Sequence, residues 1–272
     1  MTDLSGKVAI VTAGTKGIGL ACAGILAEHG ALVYVAARSE QEGESAVEAI
    51  TARGGRARFL RFDAEKKEDY EKLINQSAAR EGRLDILVNN YGSTDAARDR
   101  NLLDGDCETF FRILRTNVQS VYLTCRRAVP FMRAAGGGSI VNISSIGSLV
   151  PDMSRLAYTL SKAAVNALTR NIALQYARDH IRCNAVLPGL IATDAAMRNL
   201  PEDFRASFLR HVPLGRMGTP RDVADAVLYF ACDMSSYVTG ALHEVAGGYA
   251  LGTPQYADEV SPACNGAPEE AV

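Results

Sequence analysis

The chain has 272 residues, 47% of them hydrophobic, with 24 Gly and no Trp, which suits one large core better than two small ones. Its 29 Lys and Arg nearly balance 31 Asp and Glu, for a formal net charge of −2, which speaks against a basic field for nucleic acid or an acidic tail block. No apolar run approaches the ~18 residues of a membrane span, and Cys22, Cys107, Cys125, Cys183, Cys232 and Cys264 form no C-x-x-C pair, so free thiols are expected rather than metal ligands or disulfides.

The opening "MTDLSGKVAIVTAG" lacks the charged-then-apolar pattern of a signal peptide, and a cytoplasmic location is expected. Residues 7–13, "KVAIVTA", read as a first buried strand that runs into "GTKGIGLACAGILAEHG". Gly14, Gly17 and Gly19 fall at this strand-to-helix turn, where backbone N–H groups and the helix dipole can hold a pyrophosphate and a side chain would keep it away. The turn departs from G-x-G-x-x-G, and its meaning comes from its place after the first strand.

Residues 32–37 form the second strand, followed by Arg38 with no carboxylate until Glu40. A guanidinium there suits a 2′-phosphate, where an acid would suit bare ribose hydroxyls, and Lys16 offers a second cation, so NADP is expected over NAD. Strands are expected at 57–64 and 84–90, with a helix over 65–82 between them. Asp63 closes the former, placed to accept from an adenine amine, and "NNYG" (89–92) closes the latter; both also suit ordinary turns.

A fifth strand, 138–145, ends at Ser145; a helix over 154–168 carries Tyr158 and Lys162; strands at 181–189 and 241–248 follow. Near-continuous apolar strands alternating with helices predict a doubly wound α/β domain of the Rossmann type, with a seven-stranded parallel sheet covered on both faces. The domain is expected over 1–252, with 253–272 an extended or disordered tail.

Tyr158 and Lys162 stand four apart, so their Cβ atoms lie roughly 5–6 Å from one another on one helix face. A free phenol titrates near ~10. A unit charge about 5 Å away at an effective dielectric near 20 favours phenolate by roughly 3 kcal/mol, about two pK units. The pair is thus expected to act as a general acid and base on an alcohol, with Ser145 donating to the substrate oxygen.

Taken together, the turn at 12–19, Asp63, "NNYG", Asn117 in "RTNVQS", Ser145 in "NISSIG", "YTLSK" and "LPGLIAT" resemble the short-chain dehydrogenase/reductase family over residues 4–250. The resemblance implies a catalytic set of Asn117, Ser145, Tyr158 and Lys162, Asn117 holding a water that relays protons to Lys162. It implies dinucleotide contacts from Gly14, Thr15, Lys16, Gly17, Ile18, Gly19, Arg38, Asp63, Ala64, Asn90 and Gly92. Tyr158 and Lys162 are also expected at the nicotinamide ribose, Ile191 and Thr193 at the carboxamide, and no metal is implied. Two positions depart from the family pattern: Ala13 replaces the first glycine of the turn, and Tyr91 stands where alanine is usual.

The likeness narrows to the bacterial bile-acid hydroxysteroid dehydrogenases, the NADP-dependent 7α type in particular, through "NNYGSTD", "GSLVPDMSRLAY", "FLRHVPL" and "GTPQYAD". It implies a steroid or bile-acid substrate and a homotetramer, while the balanced charge and the lack of a long apolar run lead to the expectation of no nucleic-acid or membrane partner. Leu149, Val150, Met153, Leu190, Met197, Leu200 and Phe204 are expected to line a sterol slot, with Arg198 or Arg205 meeting an acidic tail. Leu200, Phe204 and Phe208 equally suit the core face of a helix. Action at 12α or 3α, a 3-oxoacyl-carrier-protein reductase and an NADP-binding sensor are the alternatives.

Overall fold

A computed structural model of the chain describes residues 2–252 and 255–259. Seven parallel strands form one sheet in the order β3-β2-β1-β4-β5-β6-β7. They are β1 (Val8–Thr12), β2 (Leu32–Ala37), β3 (Arg56–Arg61), β4 (Ile86–Asn89), β5 (Gly138–Ile143), β6 (Ile181–Pro188) and β7 (Leu242–Val245). The strand order reverses between β1 and β4, where Val11 pairs with Val88, so the loops leaving these two strands part and open a crevice at their carboxyl ends.

The helices are α1 (Gly17–Glu28), α2 (Glu40–Thr51), α3 (Lys67–Glu81), α4 (Cys107–Ala134), α5 (Leu156–Tyr176), α6 (Asp194–Asn199), α7 (Glu202–Leu209), α8 (Pro220–Ala231) and α9 (Tyr256–Glu259). Every residue of β1 and β4 is buried, because helices cover both faces of the sheet. On one face Leu26 of α1, Ile50 of α2 and Val227 of α8 pack on Val11 and Val33. On the other, Leu73 of α3, Val129 of α4 and Val165 of α5 pack on Ile10, Leu87 and Ile140. The doubly wound reading thus holds.

Boundaries shift where capping decides them. The helix expected over 154–168 begins at Leu156 because Arg155 is left-handed (φ 57°), and it runs on to Tyr176. Within the tail, Tyr256–Glu259 forms α9 instead of an extended segment. Residues 253–254 and 260–272, including Cys264, lie outside the described residues.

Candidate active site

The turn between β1 and α1 is held from three sides. Gly14 N–H donates to Ala36 O at 3.3 Å, and the Asn90 side-chain amide donates to the carbonyls of Thr12 and Ala13 at 3.2 and 3.1 Å. Thr12 Oγ accepts from the N–H groups of Asn90 and Tyr91. Ala13 takes φ 51°, so the methyl group in place of glycine sits in a left-handed conformation. A Cβ at Gly19 would lie 2.2 Å from Ala13 O and 2.5 Å from Asn90 Nδ2, so only glycine lets the helix start this close.

Lys16 offers no side-chain cap to α1, whose first N–H groups face the crevice end of the sheet. These features fit a dinucleotide's pyrophosphate. The Lys16 ammonium pairs with Glu42 at 2.6 Å. Arg38 is exposed and forms no ion pair among the described residues. Burial raises the Tyr91 phenol, Glu65 adding to the shift and Arg38 opposing it. Asp63 lies two residues beyond β3 and is half-buried, its Oδ1 accepting from Glu65 N–H at 3.1 Å; Ala64 beside it is buried.

Ile18, Asn90, Gly92, Ser145, Tyr158, Lys162, Ile191 and Thr193 line one cleft of about 350 Å³ at the strand ends. A Cβ on Gly92 would approach Lys162 Nζ to 3.2 Å. Thr193 caps α6 through Ala196 N–H and lies over Gly17, whose Cβ would meet its methyl at 3.1 Å, so the β6 loop folds across the glycine turn. Asn117 adjoins the cleft through its neighbours, not directly. Its side chain accepts from Ser93 N–H at 2.6 Å and donates to Ser93 O and Ser161 Oγ at 3.0 and 2.9 Å.

Lys162 is 4% exposed and donates from Nζ to Ile143 O at 2.8 Å. Burial pulls its pKa down to about 8. Tyr158, one turn earlier, is half-buried. Desolvation raises its phenol above the ordinary value, the Ser145 hydroxyl and then Arg155 pulling it back. The lowering of the Tyr158 phenol expected from Lys162 does not appear: withdrawal from water outweighs the Ser145 hydrogen bond and the Arg155 charge that pull the other way. Ser145 Oγ accepts from Gly147 N–H at 3.2 Å, which leaves its own hydrogen to donate elsewhere.

Beside Ser145 and Tyr158 a slot of about 160 Å³ is walled by Val150, Leu190, Leu200 and Phe204, together with Ile146, Pro151, Phe208 and Tyr249. Phe208 and Tyr249 stack with centroids 4.4 Å apart. Neither α6, which Leu200 ends, nor α7, which carries Phe204 and Phe208, has a buried residue, and all three side chains line the slot rather than a helix core face. Leu149, Met153 and Met197 are exposed and stand outside its walls, as do Arg198 and Arg205. The charged wall residues are Arg155 and Asp152, an ion pair no periodicity in the sequence announces. A larger hollow of about 530 Å³ under β7 touches none of the catalytic side chains.

A crevice at the switch point of a parallel sheet, floored by glycines and edged by a serine, a tyrosine and a lysine, defines an oxidoreductase of the dinucleotide-binding kind. The chain belongs to the short-chain dehydrogenase/reductase family, and residues 12–250 match the family described as enoyl-(acyl carrier protein) reductase. It is 60% identical over 258 residues to a 7α-hydroxysteroid dehydrogenase of Clostridium sardiniense, covering 95% of this chain and 98% of that enzyme. It is 49% identical over 261 residues to a 7α-hydroxysteroid dehydrogenase of Paraclostridium sordellii, covering 96% and 98%. A crystallised 7α-hydroxysteroid dehydrogenase in complex with NADH and 7-oxo glycochenodeoxycholic acid superposes with a TM-score of 0.86 at 32% identity, over 91% of this chain and 95% of that one.

Proposed function

We propose that the protein transfers a hydride between NADP(H) and a steroid, acting on the 7α-hydroxyl of a bile acid. The observation that carries the reading is the narrow slot beside Ser145 and Tyr158, walled mainly by aliphatic and aromatic side chains, since a flat sterol is held by such walls and its reacting oxygen must reach the phenol. Tyr158 takes the alcohol proton in oxidation and returns it in reduction, while Ser145 donates to the same oxygen and holds its developing charge. Lys162, tied to Ile143 O at 2.8 Å, keeps a fixed positive group behind the phenol and next to Gly92, where the ribose would bind. A bound nicotinamide would supply or accept the hydride and, when oxidised, would favour the phenolate by its positive charge. Asn117 holds the β4–α4 loop through Ser93.

Arg38 supports the phosphate-bearing cofactor, as an exposed guanidinium just after β2. Lys16 contributes less, since Glu42 occupies its ammonium. Among the described residues no helix is long and apolar enough to cross a membrane; the cytoplasmic location is part of the proposal and rests on the lack of a signal-peptide pattern in the opening residues. Phe111, Tyr122, Leu160 and Leu174 stand exposed on α4 and α5, an apolar face that supports a homotetramer. A carrier-protein reductase is the second reading, but Leu174 and Gln175 near the end of α5 offer no cation to an acidic carrier.

The test is turnover of a panel of bile acids bearing single hydroxyls at 7α, 12α or 3α, with NADP and NAD, alongside an acetoacetyl thioester. Oxidation confined to 7α substrates with NADP is expected; turnover of the thioester alone would reject the steroid reading.

A further inference from the structure

We propose that Asp99 is a positioning residue for Tyr158: its carboxylate holds the first turn of α5 and so sets where the phenol stands. The inference rests on the reading of Tyr158 as the proton-transferring group. Asp99 lies in the loop between β4 and α4 and is 3% exposed. Its Oδ1 accepts from Ala157 N–H at 2.8 Å and its Oδ2 from Tyr158 N–H at 2.9 Å. The Asp99 carbonyl accepts from Arg155 N–H at 2.9 Å, and that of Arg100 from Leu156 N–H at 3.3 Å. Consecutive amides from Arg155 to Tyr158 are therefore all met by another loop.

α5 has no side-chain cap of its own, because Arg155 occupies that position in a left-handed conformation. The buried carboxylate takes over the role, bridging two N–H groups at the positive end of the helix. These are charge-assisted bonds, stiffer than neutral ones. The loop is anchored in turn: Asp99 N–H donates to Asp95 O at 2.7 Å, and Asp106 N–H to Arg98 O at 3.0 Å. At its start Ser93 is clamped by Asn117, whose amide also reaches Ser161, the neighbour of Lys162. The loop thus grips the first turn of α5 up to Tyr158, while Asn117 of α4, which clamps the start of the loop, holds Ser161 one turn on. A reacting group displaced by ~1 Å can cost about 100-fold in rate, so losing this grip falls on the chemical step.

The experiment uses full-length Asp99→Asn and Asp99→Ala, each also combined with Tyr158→Phe. Thermal unfolding, the NADPH dissociation constant and kcat for a 7-oxo bile acid are measured for each. The expected result is kcat lower by about tenfold in Asp99→Asn and about 100-fold in Asp99→Ala, with NADPH affinity within about twofold. In the Tyr158→Phe background either change leaves the residual rate unaltered. A kcat loss that merely follows the folded fraction, or the same fold-loss in both backgrounds, overturns the proposal. Should Asp99→Ala fail to fold, Asp99→Asn decides. Fully active Asp99 variants beside an inactive Tyr158→Phe overturn this inference alone, whereas an active Tyr158→Phe overturns the catalytic reading beneath it.

Discussion

Lys162 Nζ stands 5.7 Å from the centre of the Tyr158 ring and gives its hydrogen bond to Ile143 O. The ammonium is therefore held beside the ring by the end of β5, at the cost of leaving water. A lysine whose folded pKa is about 8 against an ordinary 10.5 is protonated in both folded and unfolded chains below pH 8. Between those values the unfolded chain binds more protons, so stability rises with pH by at most about 1.4 kcal/mol per unit. Lys162→Met is expected to be more stable than wild type at pH 7, with that advantage shrinking from pH 8 to 10.5. Urea unfolding across this range checks it, and a constant difference would show that Lys162 is not held at a depressed pKa.

Arg38→Asp is expected to lower kcat/KM for NADP by roughly 10–100-fold, the loss of a charged hydrogen bond with repulsion added, and to raise it for NAD. Lys16→Ala changes the NADP value by less than about threefold, because its ammonium already serves Glu42. Initial rates with both cofactors measure the two effects. Equal losses at the two positions would contradict the assignment.

Glycines in α1 separate into two kinds. Gly19→Ala drives a Cβ into Ala13 O, a backbone atom with nowhere to go, and cofactor binding is expected to fall by at least about tenfold. Gly24→Ala meets nothing within 4 Å, and the better helix former is expected to add about 0.5–1 kcal/mol of stability. Cofactor titration and chemical denaturation read the pair.

Ala13→Gly relieves a left-handed alanine at φ 51°. The relief of about 1–2 kcal/mol exceeds the entropy glycine adds to the unfolded chain, roughly 0.5–1 kcal/mol. A small net gain in denaturation midpoint is expected, and a clear loss would show that the methyl group packs usefully.

The order of strands and helices was legible because buried parallel strands and amphipathic helices leave periodic marks. The Ser145, Tyr158 and Lys162 cluster was legible because i,i+4 spacing and a strand end fix direction in space. The slot was half legible. Val150, Leu190, Leu200 and Phe204 line it, whereas Leu149, Met153 and Met197 are exposed, since the β5–α5 connection that carries Leu149 and Met153 has no period and α6 and α7 have no buried face. Asp99 and Arg155 left no signal. One acts on amides 58 residues away in the chain and the other depends on a left-handed φ, and neither is a property of local composition. The acidity of Tyr158 was misjudged because a pairwise charge estimate omits desolvation of both partners.

Tyr158→Phe removes the one hydroxyl on which proton transfer depends and leaves the ring. With 7-oxo-lithocholate and NADPH, kcat is expected to fall by at least about 100-fold, the range of a general acid, with NADPH binding retained. Turnover near the wild-type rate would contradict it.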